Sequence, residues 1–467
     1  MKRRANLPLV VTLLLSIAVL GSCSDVAKAP NAFRTQPEDR VEINHDTCNH
    51  ANAEHHERVS PTLSKRGHIE YYYCPDCGKS FYDAACTQEI PNSNLGLDNK
   101  NDGRYLAPIT GTFSLLKKNI RNYLKAKTDR DIILALRDKS YYNDQAERTI
   151  VWEDNGHAPF TVELSEDRDF TSPESFVSET NIFTFDGLFV PGETYYYRVK
   201  DTNCNFVLDD CSFKIDDTYP VRTMRVEGVS NMRDIGGWTA KDGIKVPYGK
   251  FYRGGNLASI TAKGKEQFLD KLGIKTEIDL RRNGEEHQDI TDPRLSYYNY
   301  QVWVYTTIIP DVEVTYKGAT LGPDAVSPGY VKNVFDLLAN ANNYPFYLHC
   351  AAGADRTGTI TYLLNGLLGV SYEDLTKDFE LTTFSIYGDR YRSDVDEETM
   401  TFTSDGVFGD FVAIWGKLNE IMMNKYGTGN GKLYTAIENY LLECGVTSQN
   451  IAAVRYNMLG QTVDFSN

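Results

Sequence analysis

The chain has 467 residues, of which 41% are hydrophobic, 24% charged and 12% aromatic, so it is neither a disordered tail nor a fibrous repeat. At about 150 residues per domain, this length predicts about three domains. Forty-nine basic and 64 acidic side chains leave a net charge of −15. This charge repels nucleic acid, so we expect no nucleic-acid partner and expect any anionic ligand to need a local binding site.

The first 23 residues have the pattern of a secretion signal. Basic residues 2–4 precede an apolar stretch over 7–20, which is too short to span a bilayer. It ends in Leu20-Gly21-Ser22-Cys23, which resembles a bacterial lipobox. The resemblance implies cleavage before Cys23 and lipidation of Cys23, whereas the alternative is a plain cleaved signal. We therefore expect residues 24–45 to be a linker, and the membrane to be contacted only through a lipid anchor in the bacterial cell envelope.

Residues 46–92 form a small segment rich in cysteine and histidine. Cys74-Pro-Asp-Cys77-Gly-Lys has the CxxCGK form of a zinc-knuckle turn, in which glycine allows two thiolates to point at one ion. The segment, with Tyr71–Tyr73 before this turn, resembles short Cys/His modules of bacterial surface proteins. We predict a structural zinc site, with a disulfide or free thiols as alternatives. The remaining ligand candidates are Cys48, His55 and His56.

Two further segments precede the part of the chain that contains the predicted catalytic residues. Apolar residues at helical spacing over 111–126 predict a short amphipathic helix, so we assign 93–130 as a helical connector. Residues 131–218 alternate with period two and predict an all-β sandwich. Its stretch 188–199 resembles the late strands of fibronectin type III domains. Within it, Cys204 and Cys211 predict either a disulfide that staples a hairpin or two buried thiols.

From about residue 219 to 467, helical and strand-like runs alternate, which predicts an α/β domain with a mainly parallel sheet flanked by helices. The whole chain is therefore predicted to be multidomain. Two strands are expected, at Ile274–Leu280 and at Pro345–His349. The second strand leads into the loop His349–Gly358, which is followed by an apolar helical run.

This loop has the composition of an anion-binding cradle. Small residues let successive backbone N–H groups turn inward, and the following helix reinforces their field. Arg356 is expected to fork onto two phosphate oxygens, and the same positive field favours Cys350 as a thiolate nucleophile. The other residues predicted to bind substrate around them are His349, Ala351, Ala352, Gly353, Ala354 and Thr357.

The loop resembles the HCxxGxxRTG signature of cysteine-dependent protein tyrosine phosphatases, and its Asp-Arg-Thr-Gly ending resembles the bacterial tyrosine and lipid phosphatase branch. Stretches 231–238, 249–255 and 278–282 resemble that branch's NFRDLGGY, GxLYRSG and VDLR motifs, in the same order. The similarity covers roughly residues 221–395. Ala354 stands where the family has a lysine, and Gly254 where it has a serine, so a phosphoinositide preference is not implied.

The chemistry also needs a general acid for the leaving oxygen and a base for water. In the bacterial branch the loop aspartate is proposed for this duty, which corresponds to Asp355, whereas the wider superfamily uses an upstream loop, where Asp311 is the alternative. Arg253 and Arg281 lie in matched motifs. We predict that they line the anion pocket or, alternatively, pair with Asp234 or Asp279.

The resemblance implies a phosphomonoester hydrolase that acts through a phosphocysteine intermediate, foremost a protein tyrosine phosphatase. No cofactor is expected for catalysis. The expected partner is a phosphorylated protein, a small phosphomonoester or a phospholipid. The alternatives are a phosphoinositide or inositol-phosphate phosphatase of the same mechanism, and an inactive phosphatase-fold surface protein that only binds.

Overall fold

A computed structural model describes residues 48–59, 67–90, 96–97, 110–138, 148–152, 158–202, 207–316, 319–403 and 414–466. The predicted signal with Cys23, the linker and Cys204 lie outside these residues. In the parts of the chain that are described, no helix combines the length and the apolar character needed to cross a membrane.

The Cys/His segment forms two small antiparallel sheets, and the last of their strands, Gly96–Leu97, lies beyond the predicted boundary at residue 92, in the predicted connector. Its strands are β1 (Glu54–His56), β2 (Gly67–His68), β3 (Tyr71–Cys74), β4 (Lys79–Phe81), β5 (Glu89–Ile90) and β6 (Gly96–Leu97). One sheet has the order β1-β3-β4-β5, and β2 pairs with β6. The turn between β3 and β4 depends on Gly78, which has φ +70° and donates its N–H to the Cys74 carbonyl at 2.8 Å, a conformation that favours glycine.

An all-β unit follows, in which two sheets share one apolar core. One sheet has the order β10-β9-β12-β13-β7, and β11 pairs with β8. Its strands are β7 (Thr110–Phe113), β8 (Arg148–Val151), β9 (Phe160–Ser165), β10 (Glu174–Ser178), β11 (Ile182–Phe185), β12 (Thr194–Asp201) and β13 (Val207–Ile215). Tyr195 packs over the loop before β12 and accepts a hydrogen bond from the Val190 N–H at 3.0 Å.

The predicted boundaries between connector and sandwich differ from the structure. The strand β7 lies inside the predicted connector and pairs in parallel with β13. The helices α1 (Lys118–Lys125) and α2 (Asp129–Arg137) then leave this unit, and their apolar faces join the core of the α/β unit. Helical periodicity in the sequence identifies an apolar face but not the core that the face joins, so α2 was wrongly included in the sandwich.

The α/β unit is built on a six-stranded sheet with the order β14-β15-β16-β21-β17-β18. The pairs β16–β21, β21–β17 and β17–β18 are parallel, and the pairs that involve β15 are antiparallel. The mainly parallel sheet is thus confirmed. Its strands are β14 (Arg222–Thr223), β15 (Arg233–Asp234), β16 (Phe251–Gly254), β17 (Thr276–Asp279), β18 (Ser296–Asn299) and β21 (Phe346–His349); short pairs are β19 (Val314–Tyr316) with β20 (Ala319–Leu321) and β22 (Val395–Asp396) with β23 (Thr401–Phe402).

Helices cover this sheet. They are α3 (Ala262–Glu266) with a π-helical turn (Gln267–Lys271), α4 (Ser327–Leu338), α5 (Asp355–Leu367), α6 (Tyr372–Glu380), α7 (Ile414–Tyr426), α8 (Leu433–Glu443) and α9 (Ser448–Leu459). Short 3₁₀ turns lie at Lys241–Gly243, Tyr305–Ile308, Ala341–Asn343 and Leu381–Phe384. The strand β21 is fully buried, and α5 is buried from Thr357 to Leu367. The strand end and helix start that hold the predicted loop therefore lie at the centre of the unit.

Candidate active site

Side chains on one side of the loop between β21 and α5, the back of the loop, donate hydrogen bonds to its carbonyl groups. Its carbonyls accept hydrogen bonds from Asn256 Nδ2 to Ala351 O (2.9 Å), from Asn231 Nδ2 to Ala352 O (2.9 Å), and from Arg253 Nη2 to Gly353 O (2.8 Å) and Ala354 O (3.2 Å). In a planar trans peptide, the N–H points opposite to the carbonyl. These contacts therefore turn the amides of the loop to its other side.

Those amides form the binding face of the loop. Among the described residues, the N–H groups of 351–357 have no hydrogen-bond acceptor, and α5 begins at Asp355. Unpaired N–H groups at a helix start bind anions. Gly353 makes the turn possible, because it has φ +66° and a Cβ there would lie 2.0 Å from the Gly254 carbonyl oxygen. The loop can therefore surround a tetrahedral oxyanion such as phosphate.

Cys350 lies at the end of β21 and is 3% exposed. Its charge acts on two nearby cations, Arg253 and Arg390, and works to raise the pKa of each. The sulfur at the end of β21 therefore lies close enough to two guanidinium groups to interact with their charges.

His349 supports the loop and does not line its binding face, contrary to the prediction that it binds substrate. Its side chain is fully buried. Nε2 lies 3.0 Å from Glu277 Oε1, and Nδ1 donates to the Cys350 carbonyl oxygen at 3.1 Å. A strand at the centre of a sheet points alternate side chains into covered faces, so the residue before the cysteine is enclosed. The Thr357 hydroxyl is also buried and has no hydrogen-bond partner among the described residues.

Arg356 lies in the first turn of α5, and its recorded polar contacts within the described parts of the chain are long. Nη1 is 3.5 Å from the Leu280 carbonyl oxygen and Nη2 is 3.4 Å from Glu285 Oε2, a carboxylate that is 57% exposed. The guanidinium also lies 5.7 Å from the centre of the Trp303 ring. Contacts at this distance are weak, so the guanidinium is free to exchange Glu285 for a bound phosphate.

Asp355 is held by two partners that the sequence analysis did not identify. Its carboxylate accepts two hydrogen bonds from Arg390, from Nε to Oδ1 at 2.9 Å and from Nη2 to Oδ2 at 3.0 Å. Tyr305 donates its hydroxyl to Oδ1 at 2.5 Å. No motif surrounds Arg390 in the sequence, and 35 positions separate it from Asp355, so no local signal identifies it.

Asp311, the alternative general acid, lies beside the end of α7. It is exposed, has φ +58°, and follows Pro310, whose carbonyl accepts a hydrogen bond from Lys425 at 2.6 Å. Its charge helps to raise the pKa of Tyr426, a shift caused mainly by burial. Within the described residues, the structure records no contact between Asp311 and the loop.

Arg253 does not line the pocket, so the first alternative predicted for it is wrong. It is fully buried and pairs with Asp378, which also binds Arg233 Nε at 2.9 Å. Burial and the charge of Arg233 lower the pKa of Arg253 to about 10, against the attraction of Asp378. Asp234, the predicted partner, instead binds Arg222 at 3.1 Å. The role of Arg253 is to hold the loop carbonyls from behind.

Arg281 follows its second alternative and pairs with Asp279. Its Nε lies 3.0 Å from both carboxylate oxygens, and Nη2 lies 2.9 Å from Oδ2 and 2.8 Å from the His287 carbonyl oxygen. Asp279 also accepts the Tyr297 hydroxyl at 2.9 Å. Arg281 therefore fixes the turn after β17 beside the loop, with all of these contacts made to the protein itself.

A second cluster of reactive side chains lies in the Cys/His segment. Ligand atoms of Cys48, His50, Cys74 and Cys77 all lie within 4.8 Å of one another, so these residues could hold a metal ion. The prediction of His55 and His56 as ligands is wrong. On β1 their rings stack on Tyr72 and Tyr71 across the strand pair, whereas His50 lies in the turn before β1 and reaches Cys77.

Comparisons with known proteins agree with the geometry of the loop. A family model described as Tyrosine phosphatase family matches residues 224–460. A tyrosine-protein phosphatase of Nostoc commune is 28% identical over 238 residues, which is 46% of this chain and 76% of the relative. The crystal structure of the core catalytic domain of PP-IP phosphatase SIW14 from S. cerevisiae in complex with citrate matches at 13% identity with a TM-score of 0.23, covering 35% of this chain and 79% of that chain.

Proposed function

Since the chain belongs to the tyrosine phosphatase family, we propose that it hydrolyses phosphomonoesters, foremost phosphotyrosine, through a phosphocysteine at Cys350. The observation that supports this most strongly is the loop itself. Its carbonyls are bonded from behind and its N–H groups are left for a ligand. Such an arrangement stabilises the charge that develops on equatorial oxygens in the transition state.

The reaction proceeds in two steps with a balanced transfer of protons. Cys350 Sγ attacks phosphorus, the S–P bond forms, and the ester P–O bond breaks while Asp355 gives its proton to the leaving oxygen. Water then attacks the phosphocysteine, Asp355 takes a proton from it, and the S–P bond breaks to release inorganic phosphate. Arg356 and the loop amides hold the three equatorial oxygens throughout.

The test is turnover of an aryl phosphate by the full chain under reducing conditions. We expect Cys350→Ser to abolish turnover, because serine supplies no thiolate. Cys444→Ser is the matched control, because Cys444 lies just after α8, outside the loop, and it should retain wild-type activity. Activity in Cys350→Ser would contradict the mechanism, and a wild-type protein that binds phosphate without turnover would favour a binding role.

A substrate panel then separates the classes that share this chemistry. Phosphotyrosine peptides, phosphoinositide vesicles and inositol phosphates differ in reach and charge but present the same phosphomonoester to Cys350. We expect the highest kcat/KM with phosphotyrosine peptides, since the loop has Ala354 at the position of the lysine found in the lipid-active branch. A preference for phosphoinositides or inositol phosphates would replace the assignment of substrate but leave the mechanism in place.

We also propose that the Cys/His segment holds a structural zinc ion through Cys48, His50, Cys74 and Cys77. In a tetrahedral site with Zn–S distances of about 2.3 Å, two sulfurs lie about 3.8 Å apart. The Sγ atoms of Cys48 and Cys74 are 3.6 Å apart, and Cys77 Sγ is 3.5 Å from His50 Nδ1. This donor set fits zinc, which would stabilise the fold of the segment when bound.

Metal analysis of the purified full chain tests the zinc site. We expect about one zinc per chain, lost in His50→Ala but retained in His55→Ala, the matched control on the neighbouring strand. Retention of zinc in His50→Ala would contradict this ligand set. A Cys74–Cys77 disulfide detected by mass spectrometry would replace it with the redox alternative.

For the remainder of the chain, we propose a lipid attached to Cys23 and a fibronectin type III-like identity for the all-β unit. The basic and apolar residues before Cys23 support the first, and the two sheets with Tyr195 over the preceding loop support the second. Metabolic labelling with an alkynyl fatty acid in bacteria tests the anchor. The label should disappear in Cys23→Ala, and an unlabelled wild-type protein would identify a plain cleaved signal.

A further inference from the structure

A carboxyl group that serves as a general acid must carry a proton at the moment when the ester bond breaks. Asp355 lies in a bidentate ion pair with Arg390, so one guanidinium contacts both oxygens of the group that must carry this proton. The hydroxyl of Tyr305 donates to the same group. The partners of Asp355 therefore act directly on the proton that the reaction transfers.

We propose that Arg390 is a positioning residue that fixes the orientation of the Asp355 carboxylate and sets the pH range in which Asp355 acts as the acid. This inference rests on the proposed function, because it concerns the proton donor of that reaction. Arg390 acts through Asp355, and Tyr305 completes the arrangement by holding Oδ1.

The chain around Arg390 is fastened at several points. The Arg390 N–H donates to Thr383 Oγ1 at 2.8 Å, and the same hydroxyl donates to the Arg390 carbonyl oxygen at 2.8 Å. Two residues later, Arg392 binds the fully buried Glu380 carboxylate through Nε at 3.0 Å and Nη2 at 2.8 Å. The segment between Thr383 and Arg392 is therefore rigid enough to place one guanidinium against Asp355.

The charges around Asp355 support the same assignment. The recorded groups that face it are Arg390, from the segment after α6, and Tyr305, from the 3₁₀ turn; the charge of Cys350 reaches both. Burial works to lower the pKa of Arg390, but Asp355 and Tyr305 raise it. Burial and then the Asp355 charge raise the pKa of Tyr305 well above its usual value. Both partners therefore keep their protons at working pH.

The test compares pH profiles of kcat/KM for Arg390→Gln, Arg390→Lys and the wild type with an aryl phosphate. The descending limb reports the acid of the free enzyme. Loss of a positive charge in direct contact with the carboxylate should move that limb to higher pH in Arg390→Gln, and by less in Arg390→Lys, which retains the charge. A merely structural role would lower kcat without moving the limb.

Arg294→Gln is the control. It removes a guanidinium that pairs with Asp292 and Asp270 and that, among the described residues, has no recorded contact with Asp355 or the segment of Arg390, so the limb should stay in place. An unmoved limb in Arg390→Gln, together with an inactive Cys350→Ser, would overturn this inference and leave the proposed function intact.

A second measurement needs no turnover. Carboxyl ¹³C NMR of the full chain, with the resonance assigned through Asp355→Asn, follows the ionisation of Asp355 directly. We expect Asp355 to titrate at higher pH in Arg390→Gln than in the wild type. Identical titration in the two proteins would overturn the inference even if the wild type hydrolysed no phosphate.

Discussion

Replacement of Arg253 by methionine tests whether Arg253 holds the loop in place or binds substrate. The guanidinium donates to the Asp378 carboxylate and to two loop carbonyls, all of them buried. A hydrogen bond to a charged group contributes about 1.5–3 kcal/mol and a neutral one about 1 kcal/mol. Asp378 keeps Arg233 as a partner, so we expect the free energy of unfolding to fall by about 3 kcal/mol.

The loop should lose activity for the same reason. Without Arg253, the Gly353 carbonyl keeps the longer bond from Asn231 Nδ2 at 3.3 Å and the Ala354 carbonyl keeps the bond from the Gly358 N–H. With one donor fewer at each carbonyl, the amides that face phosphate should be less well oriented. Removal of one oxyanion donor costs about 10²–10³ in kcat, and partial misorientation should cost about tenfold or more. Urea unfolding followed by tryptophan fluorescence measures stability, and steady-state kinetics on an aryl phosphate measures kcat and KM.

Arg222→Met is a matched control for this experiment. Arg222 is also buried, and it also donates to one carboxylate, that of Asp234, and to two carbonyls, those of Leu188 and Phe189. None of these acceptors belongs to the loop. We expect a loss of stability at least as large, because Asp234 has no second recorded ion-pair partner among the described residues, with unchanged kcat and KM in the folded protein. The reasoning would be refuted if the Arg253→Met protein had an unchanged urea midpoint and an unchanged kcat but a raised KM. Arg253 would then be a substrate-binding residue.

Three further predictions follow from individual contacts. Tyr123→Phe removes the hydroxyl that α1 donates to the buried Glu380, which should lower the free energy of unfolding in urea by about 1.5–3 kcal/mol; an unchanged midpoint would argue against the role of α1. Gly353→Ala places a Cβ against backbone and should lower kcat/KM about 100-fold; wild-type kinetics would contradict the loop geometry. Burial works to raise the pKa of Asp279, but the hydrogen bonds and the charge of Arg281 oppose this effect. The net result is a lowered pKa. This stabilisation is present above about pH 4 and is lost as pH falls, so Arg281→Gln should raise the acid-unfolding midpoint measured by circular dichroism.

The chemistry of the loop could be predicted from sequence because its parts are adjacent in the chain. A strand that ends at His349, small residues after Cys350 and a helix that starts at Asp355 determine each other locally. The neighbouring parallel strand β17 was also predicted, within the run Ile274–Leu280. The residues that brace the loop were not, because Arg253 meets Asp378 across 125 positions, and only the fold brings them together.

The same limit explains the two histidines that were misassigned in the Cys/His segment. Spacing alone does not distinguish His50, His55 and His56 as metal-ligand candidates beside Cys74 and Cys77. Pairing of β1 with β3 decides between them, since it sets His55 opposite Tyr72 and His56 opposite Tyr71. That register depends on contacts between strands, which no local pattern of the sequence reveals.

The route of the chain between the all-β unit and the α/β unit has a mechanical consequence. After β7 the chain leaves the all-β unit, and α1 and α2 pack on the α/β unit. The chain then returns to the all-β unit as β8 and enters the α/β unit again after β13. Lys263 and Asp186 add an ion pair at 2.6 Å across the seam. A single linker would let the two units rotate freely, whereas three crossings of the chain and this ion pair restrict that rotation. The all-β unit and the α/β unit should therefore move together.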